Sequence, residues 1–321
     1  MSTKDTVLAL FEKNKGFYVS GEKIASDLNI SRTAVWKAVK KLQSEGYEIK
    51  AVTNRGYCLD KESDVLTAHG IRSFLGDEYP CLKPEVFVTV DSTNNVCRAK
   101  AEEGEEEGYV AVAGAQTSGR GRRGRSFYSP AGSGIYMSIL LRPEDFSEKQ
   151  VLQLTTMAAV AVSAAVEKVS GKTAGIKWVN DILIEGKKVC GILSEAFYKA
   201  DGSLDSVIVG IGLNAYPPAG GFPAGIADIA ASVFDYSSPG LKNELAAEVL
   251  KNFAYYYRTG KSCIEEYRKH CIVPGKDITV IKPGEKLNAY AVGIDDDCGL
   301  IVRYPDGSEE TLRSGEISIR L

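Results

Sequence analysis

The chain has 321 residues, 44% hydrophobic and 25% charged, with a net charge of −3. That length suggests two or three domains, and the composition is that of a globular protein able to bury a sizeable core. No apolar run of about 18 residues stands out, so no membrane span is expected. The short apolar stretch near the start ends at Glu12 and Lys13, unlike a signal peptide. The cysteine count is odd and contains no C-x-x-C pair, and the two histidines, His69 and His270, stand outside any motif. These features argue against a disulfide framework, a zinc site or a histidine-based triad, and they fit a reducing cytoplasm.

The charge is uneven. Residues 1–63 hold 11 Lys and Arg against 8 Asp and Glu, whereas the remainder is acidic, which hints at nucleic-acid contact in the first segment only. Val7, Leu8, Leu10 and Phe11 predict a helix over 5–14. Ile24, Ala25 and Leu28 give a second short helix, and Asn29-Ile30 a tight turn. Ser31 is a good N-cap for a third helix, in which Val35, Val39 and Leu42 face inward. Two short helices around a brief turn, the second one basic, match a helix-turn-helix. Segments 47–52 and 56–59 read as strands around Thr53-Asn54-Arg55-Gly56, the hairpin of a winged helix. Ser31, Arg32, Thr33, Trp36 and Lys37 are the candidates for a DNA major groove, and Arg55 at the wing tip for phosphate or a minor groove. Trp36 reads equally well as a half-buried packing residue, and the whole segment could instead be a protein-interaction module with a solvated basic face.

Asp60 to Ser63 reads as a linker, after which the pattern becomes mixed α/β. A strand over 86–90 runs into Asp91-Ser92-Thr93-Asn94-Asn95 and a helix over 95–102. That join could bind an acid, a ureido group or a phosphate through free backbone N–H groups, or it could be plain N-capping. After a strand over 109–116 comes Gly119-Arg120-Gly121-Arg122-Arg123-Gly124-Arg125. The glycines fit G-x-G-x-x-G, but Ser129-Pro130 follows where a dinucleotide fold needs a helix, so that reading fails. Gly210-Ile211-Gly212 fails likewise before Pro217-Pro218, and no P-loop occurs. What remains is a loop with four forked cations on a flexible backbone, suited to carboxylate or phosphate. Alone it could equally be a solvated loop, a nucleic-acid patch or a localisation-like run.

A strand over 135–141 places Tyr136 and Ser138 on one face, and a long Ala-rich helix spans 149–169. Strands follow at 175–184, 188–195 and 206–214. Lys177 and Lys188 lie in or beside apolar strands, where an anionic ligand would account for them. Asn180-Asp181 is either an ordinary turn pair or a group that orients a lysine and helps hold Mg²⁺. Lys187 reads as a solvent-facing turn residue and Cys190 as packing. Helices over 242–260 and 263–270 close the body. Beyond residue 271, short strands at 277–281, 287–294, 299–304 and 310–314 suggest a small β-barrel. The expected domains are therefore 1–63, 64–270 and 271–321.

Taken together, Asp91-Ser92-Thr93-Asn94, Gln116, Gly119 to Gly124, Lys177-Trp178-Val179-Asn180-Asp181, Lys188 with Gly191-Ile192-Leu193, Gly212-Leu213-Asn214 and Gly315-Glu316-Ile317-Ser318 resemble the bifunctional biotin protein ligases that double as biotin operon repressors. The likeness covers essentially the whole chain. It implies an α+β protein: a winged helix-turn-helix, a class II synthetase-like ligase core with a mixed sheet, and a small SH3-like β-barrel. It implies that biotin and ATP give biotinyl-5′-AMP, and that biotin passes to a lysine of the biotin carboxyl carrier domain of acetyl-CoA carboxylase or a related carboxylase. Operator DNA and a ligand-promoted homodimer are the other implied partners. Ser92, Thr93, Asn94, Gln116, Gly119, Arg120, Gly121, Arg122, Gly191 and Asn214 would surround biotin and its adenylate. Lys188 and Arg122 would steady phosphate and carboxylate. Lys177, Asn180 and Asp181 would lie near ATP and Mg²⁺, with Glu316 and Arg320 as weaker candidates; the metal ligands are unspecified. Val179 stands where members often have Pro, and Phe127 where they often have Trp. A lipoate or octanoate ligase of the same fold, or a ligand-sensing transcription factor without catalysis, are the alternatives.

Overall fold

The computed structural model describes residues 2–44, 46–61, 63–143, 148–282 and 284–319. The chain forms two compact units, Met1–Phe74 with Ser237–Glu244, and Leu75–Tyr236 with Leu245–Leu321.

The first unit begins with α1 (Thr3–Lys13), capped by a reciprocal box between Ser2 and Asp5. Next come α2 (Gly21–Asp27) and α3 (Arg32–Ser44), the latter begun by Ser31, whose hydroxyl accepts from the Ala34 N–H at 3.1 Å. Asn29, in the left-handed region at φ 51°, turns the chain between them. The hairpin β1 (Ile49–Val52) and β2 (Gly56–Leu59) pairs antiparallel, with Asn54 and Gly56 at positive φ in its turn. Val7, Phe11, Ile24, Val35, Val39, Leu42 and Leu59 form one buried cluster, so the three helices and the wing share a core. Helix α4 (Ala68–Leu75) follows. Asn243 accepts from the Thr67 N–H and donates to the Val65 carbonyl, and Lys242 pairs with Asp64 in a nearly buried setting.

The second unit is built on a seven-stranded mixed sheet. In chain order its elements are β3 (Lys83–Phe87), α5 (Thr93–Glu102), β4 (Tyr109–Ala113), β5 (Gly134–Leu141), α6 (Glu148–Ser170), β6 (Gly175–Lys177), β7 (Asp181–Ile184), β8 (Lys187–Tyr198), β9 (Leu204–Asn214), α7 (Leu241–Thr259) and α8 (Ile264–His270). The strand order is β3-β4-β5-β9-β8-β7-β6, parallel only between β3 and β4. Helix α5 covers one face through Cys97 and Ala101, which pack with Ala111, Leu140 and Ile208. On the side of α6, Thr155 donates to Ser194 of β8 at 2.8 Å.

One expectation needs correction here. Helix α5 starts at Thr93, two residues before Asn95, because the Ser92 carbonyl already accepts from the Val96 N–H. Helix α6 is long and apolar enough over Leu152–Ser170 to cross a membrane by length and composition alone, although Gln153, Glu167 and Lys168 interrupt any continuous apolar run. Two thirds of that window is buried in the protein, and a helix covered all round is apolar all round.

The C-terminal strands β10 (Asp277–Lys282), β11 (Glu285–Ile294), β12 (Leu300–Arg303), β13 (Glu309–Leu312) and β14 (Glu316–Ile319) form one antiparallel sheet in the order β13-β12-β11-β10-β14. The fifth strand is one more than the sequence pattern picks out. It pairs with β10 through Ile278↔Ile319 to Ile281↔Glu316.

Candidate active site and winged-helix groove

The register of the sheet makes a hollow. Side chains alternate along a strand, so Gly191, Leu193 and Glu195 of β8 share a face with Gly210 and Gly212 of β9 and with Tyr136 and Ser138 of β5. The glycines remove side chains where other groups must enter. A Cβ on Gly210 would lie 2.2 Å from Asn94 Oδ1, and one on Gly212 would lie 2.6 Å from the Phe127 ring. Above this floor is a cavity of about 360 Å³.

One wall is the join into α5. Ser92, Thr93 and Asn94 are buried. The Thr93 N–H donates to Gln116 Oε1 at 2.9 Å, and Gln116 Nε2 donates to Ser129 at 3.0 Å. The Ser138 hydroxyl, fully buried, donates to Asn94 Oδ1 at 2.6 Å and lies 2.7 Å from the Thr93 hydroxyl. Asp91 accepts from Asn95 at 2.6 Å, which holds its carboxyl below the usual range.

The basic loop closes over this wall. It contains a single 3₁₀ turn at Arg122–Gly124 with Arg123 at φ 56°, and it folds back through Gly121 N–H to Arg125 O at 2.7 Å and Phe127 N–H to Gly119 O at 2.8 Å. Arg120, Gly121, Arg122, Arg123 and Arg125 all border the cavity. Gly119 does not; a Cβ there would sit 2.5 Å from Phe127 O and Ser129 Oγ, so its smallness lets the loop close. Phe127 supplies an aromatic wall, edge-on to Tyr136 with centroids 6.3 Å apart.

The opposite wall is cationic. Lys188 Nζ lies 2.7 Å from Asp181 Oδ1, and Arg122 donates to Asn180 Oδ1 at 3.0 Å. Asn180 in turn donates to the Ile192 carbonyl. Lys177 borders the cavity half-buried, without a hydrogen bond or ion pair among the described residues. The Trp178–Val179 peptide is cis, and the Trp178 indole N–H donates to the Cys298 carbonyl at 3.0 Å. Among the described residues Asp181 is the one carboxylate in the wall, and they hold no cluster of three His, Cys, Asp or Glu fit for a metal. The donors present therefore suit Mg²⁺ only as an ion carried on nucleotide phosphates. Cys190 is fully buried and its thiol is pushed far up by that burial, which leaves it inert.

Nearly all the residues named from sequence thus meet in one cavity. Gly119 and Asn214 are the exceptions. The Asn214 amide donates to the Ala231 carbonyl at 3.0 Å, tying down the following loop outside the cavity. Arg320 and the Glu316 side chain lie outside the described residues, but their neighbours Gly315 and Ile317 do border the cavity. Glu195 was not singled out, Ser138 was placed on a strand face without a role, and Gly210 was weighed only in a motif that failed.

In the first unit Ser31, Arg32, Thr33, Trp36, Lys37 and Arg55 are all exposed. Trp36 is 51% exposed, half buried against the protein and half open to the groove. A groove of about 790 Å³ lies between α3 and the wing, lined by Arg32, Thr33, Trp36 and Asn54 among others. Arg55 stacks on Tyr18, 4.3 Å above the ring.

Comparison with known proteins agrees with this layout. A model described as the biotin/lipoate A/B protein ligase family matches residues 86–214, an HTH domain model residues 3–58, and a biotin protein ligase C terminal domain model residues 275–320. The biotin protein ligase from Aquifex aeolicus, solved with biotin and ATP, superposes with a TM-score of 0.61 at 28% identity, covering 74% of this chain and 98% of that one. The bifunctional ligase/repressor BirA of Escherichia coli is 29% identical over 62% of this chain and 60% of its own. Those of Bacillus spizizenii and Bacillus subtilis are each 35% identical over 94% of both chains. At that identity and coverage the chain belongs to the BirA family of bifunctional biotin protein ligases that carry an N-terminal helix-turn-helix domain.

Proposed function

We propose that this enzyme joins biotin to ATP as biotinyl-5′-AMP, releasing pyrophosphate, and then transfers biotin to a lysine of a biotin carboxyl carrier domain. The observation that carries the proposal is the division of one cavity into a neutral polar wall and a cationic wall. The neutral wall, of Ser92, Thr93, Asn94 and Gln116, offers donors and acceptors held in fixed directions, which suits the ureido ring of biotin. The cationic wall, of Arg122, Lys177 and Lys188, suits the other end.

The chemistry asks for that arrangement. Attack of a carboxylate on an α-phosphate brings two anions together and builds charge on phosphorus-bound oxygens. Fixed cations stabilise that charge without reorganising. Lys188, held by Asp181, and Arg122, held by Asn180, are preorganised in this sense. Lys177, with no partner among the described residues, is available to a phosphate. Mg²⁺ would arrive with the nucleotide and neutralise phosphate charge, with Asp181 the carboxylate nearest to hand. No protein nucleophile is required. In the second step the adenylate is attacked by a neutral lysine amine of the carrier and AMP leaves.

The winged helix extends the role to operator DNA and biotin-dependent repression. The exposed Arg32, Thr33, Trp36 and Lys37 on α3 would enter a major groove, with Arg55 on the wing reaching phosphate. A ligand-promoted homodimer would pair two such helices on a palindrome, and a cytoplasmic setting is consistent with both roles. Incubation with ATP, Mg²⁺, an apo carrier domain and labelled biotin or lipoate tests the enzymatic part. Biotin is expected on the carrier lysine. Transfer of lipoate alone would replace the substrate, and transfer of neither would reduce the cavity to a sensor.

A further inference from the structure

Glu195 lies beside the cavity, on the cavity face of β8, yet the adenylation chemistry gives a carboxylate there no task. It is also an anion beside a cavity that takes an anionic substrate. The geometry points to Glu195 as a positioning residue: one carboxylate oxygen latches the Arg120 loop to the sheet and fixes which way the Asn94 amide faces the bound ligand.

Oε2 of Glu195 accepts from Asn94 Nδ2 at 2.7 Å and from Arg120 Nη2 at 3.1 Å. These donors belong to different elements, α5 and the basic loop, 101 and 75 residues away in sequence. Arg120 Nη2 also donates to Asn95 Oδ1 at 2.9 Å, so both of its hydrogens are used, and Asn95 is held in turn by Asp91. A carboxylate only accepts. It therefore requires the NH₂ end of Asn94 on its side and leaves Oδ1 for the Ser138 hydroxyl. Gly210 keeps that space open. The amide is thereby aimed from both ends, and Thr93 and Gln116 follow through the same network.

The latch changes the reading of Arg120. Its guanidinium spans Glu195 of the sheet and Asn95 of α5, so it orders the loop, whereas Arg122, Lys177 and Lys188 line the cationic wall. This inference rests on the proposed biotin chemistry. The two fail differently: an inactive wild-type enzyme removes the chemistry, whereas an active one with an unaffected variant removes only the latch.

The test is steady-state adenylate formation by the full chain carrying Glu195→Gln, which keeps the shape and loses the charge. Loss of a charge-assisted contact predicts a KM for biotin raised about tenfold, with KM for ATP and kcat held within about twofold because the cationic wall is untouched. Arg120→Gln, a change in an exposed loop that does not threaten the strand, is expected to give the same split. The double variant should be no worse than the poorer single, since both remove one link. An unchanged KM for biotin, a parallel fall in kcat and in both substrate affinities, or additive effects in the double variant would each overturn the latch.

Discussion

The groove of the winged helix and the cavity of the ligase core both present cations to an anion, but they hold them differently. In the groove Arg32 and Lys37 stand out from one helix, separated by five positions of chain, and the solvent reaches them freely. In the cavity Arg122 is held by Asn180 and Lys188 by Asp181, while Arg120 reaches Glu195. An exposed, salt-screened surface suits a long polyanion bound along many phosphates. Fixed, partly buried cations suit one developing charge at one point. On the proposed function the same residue types would serve binding in one place and catalysis in the other, and the supporting partners would make the difference.

Changes in the cavity should be the most damaging. Lys188→Ala removes a preorganised cation and leaves Asp181 without its partner. We expect adenylate formation to fall by at least about 100-fold, with circular dichroism and the unfolding temperature little changed, since Lys188 is on a partly exposed strand position. Activity within tenfold of wild type would remove Lys188 from the mechanism and blur the contrast with the groove. Next in size is Gly210→Ala. The added Cβ would sit 2.2 Å from Asn94 Oδ1, so Asn94 must move. KM for biotin should rise about tenfold or more, and overpacking should cost about 1–3 kcal/mol of stability, read by urea unfolding. A variant that binds biotin normally would show that the Asn94 amide does not face the ligand.

These two residues also mark how far the sequence could be read. Lys188 was legible because an unpaired lysine in an apolar strand is costly, and the groove was legible because its residues follow a 3.6-residue period and a hairpin with a three-residue loop. Local periodicity was enough for both. Gly210 and Glu195 were not legible, because their meaning comes from strand register: Gly210 lies opposite Leu193 and Ser138 across two ladders, and Glu195 meets Asn94 from 101 residues away. The four residues of β14 alternate polar and apolar in sequence, but a run so short becomes a strand by pairing with β10. Asn214 is a motif residue whose amide holds the backbone of a loop at Ala231.

On the groove side the expected effects are smaller and depend on salt. The logarithm of operator affinity should fall linearly with the logarithm of salt concentration, and Arg55→Ala should lessen that slope by about 1 while weakening binding to all sequences alike. Trp36→Ala should weaken operator binding without lowering the unfolding temperature, because Trp36 is half exposed. Fluorescence anisotropy across a salt series measures both. A salt-independent affinity would mean that the exposed cations of α3 and the wing do not meet phosphate, and the two sites would no longer contrast as argued.

The smallest effect concerns a charge that neither anion uses. Glu12 on α1 is partly buried, and that burial raises its carboxyl pKa above 4.5 against the opposing pull of Lys15, Thr67 and His69. With the folded pKa above the unfolded one, the folded unit favours the proton-bound form. The benefit is complete below 4.5 and is lost as pH rises through the folded pKa. At neutral pH Glu12 is charged in both states and carries its desolvation cost in full. Glu12→Gln should therefore slow amide hydrogen exchange in α1 at pH 7, and the gain should vanish below pH 4.5. A faster exchange at pH 7 would mean that Lys15 and His69 outweigh burial. The winged-helix unit would then depend on a fixed internal ion pair after all, as the catalytic cavity does.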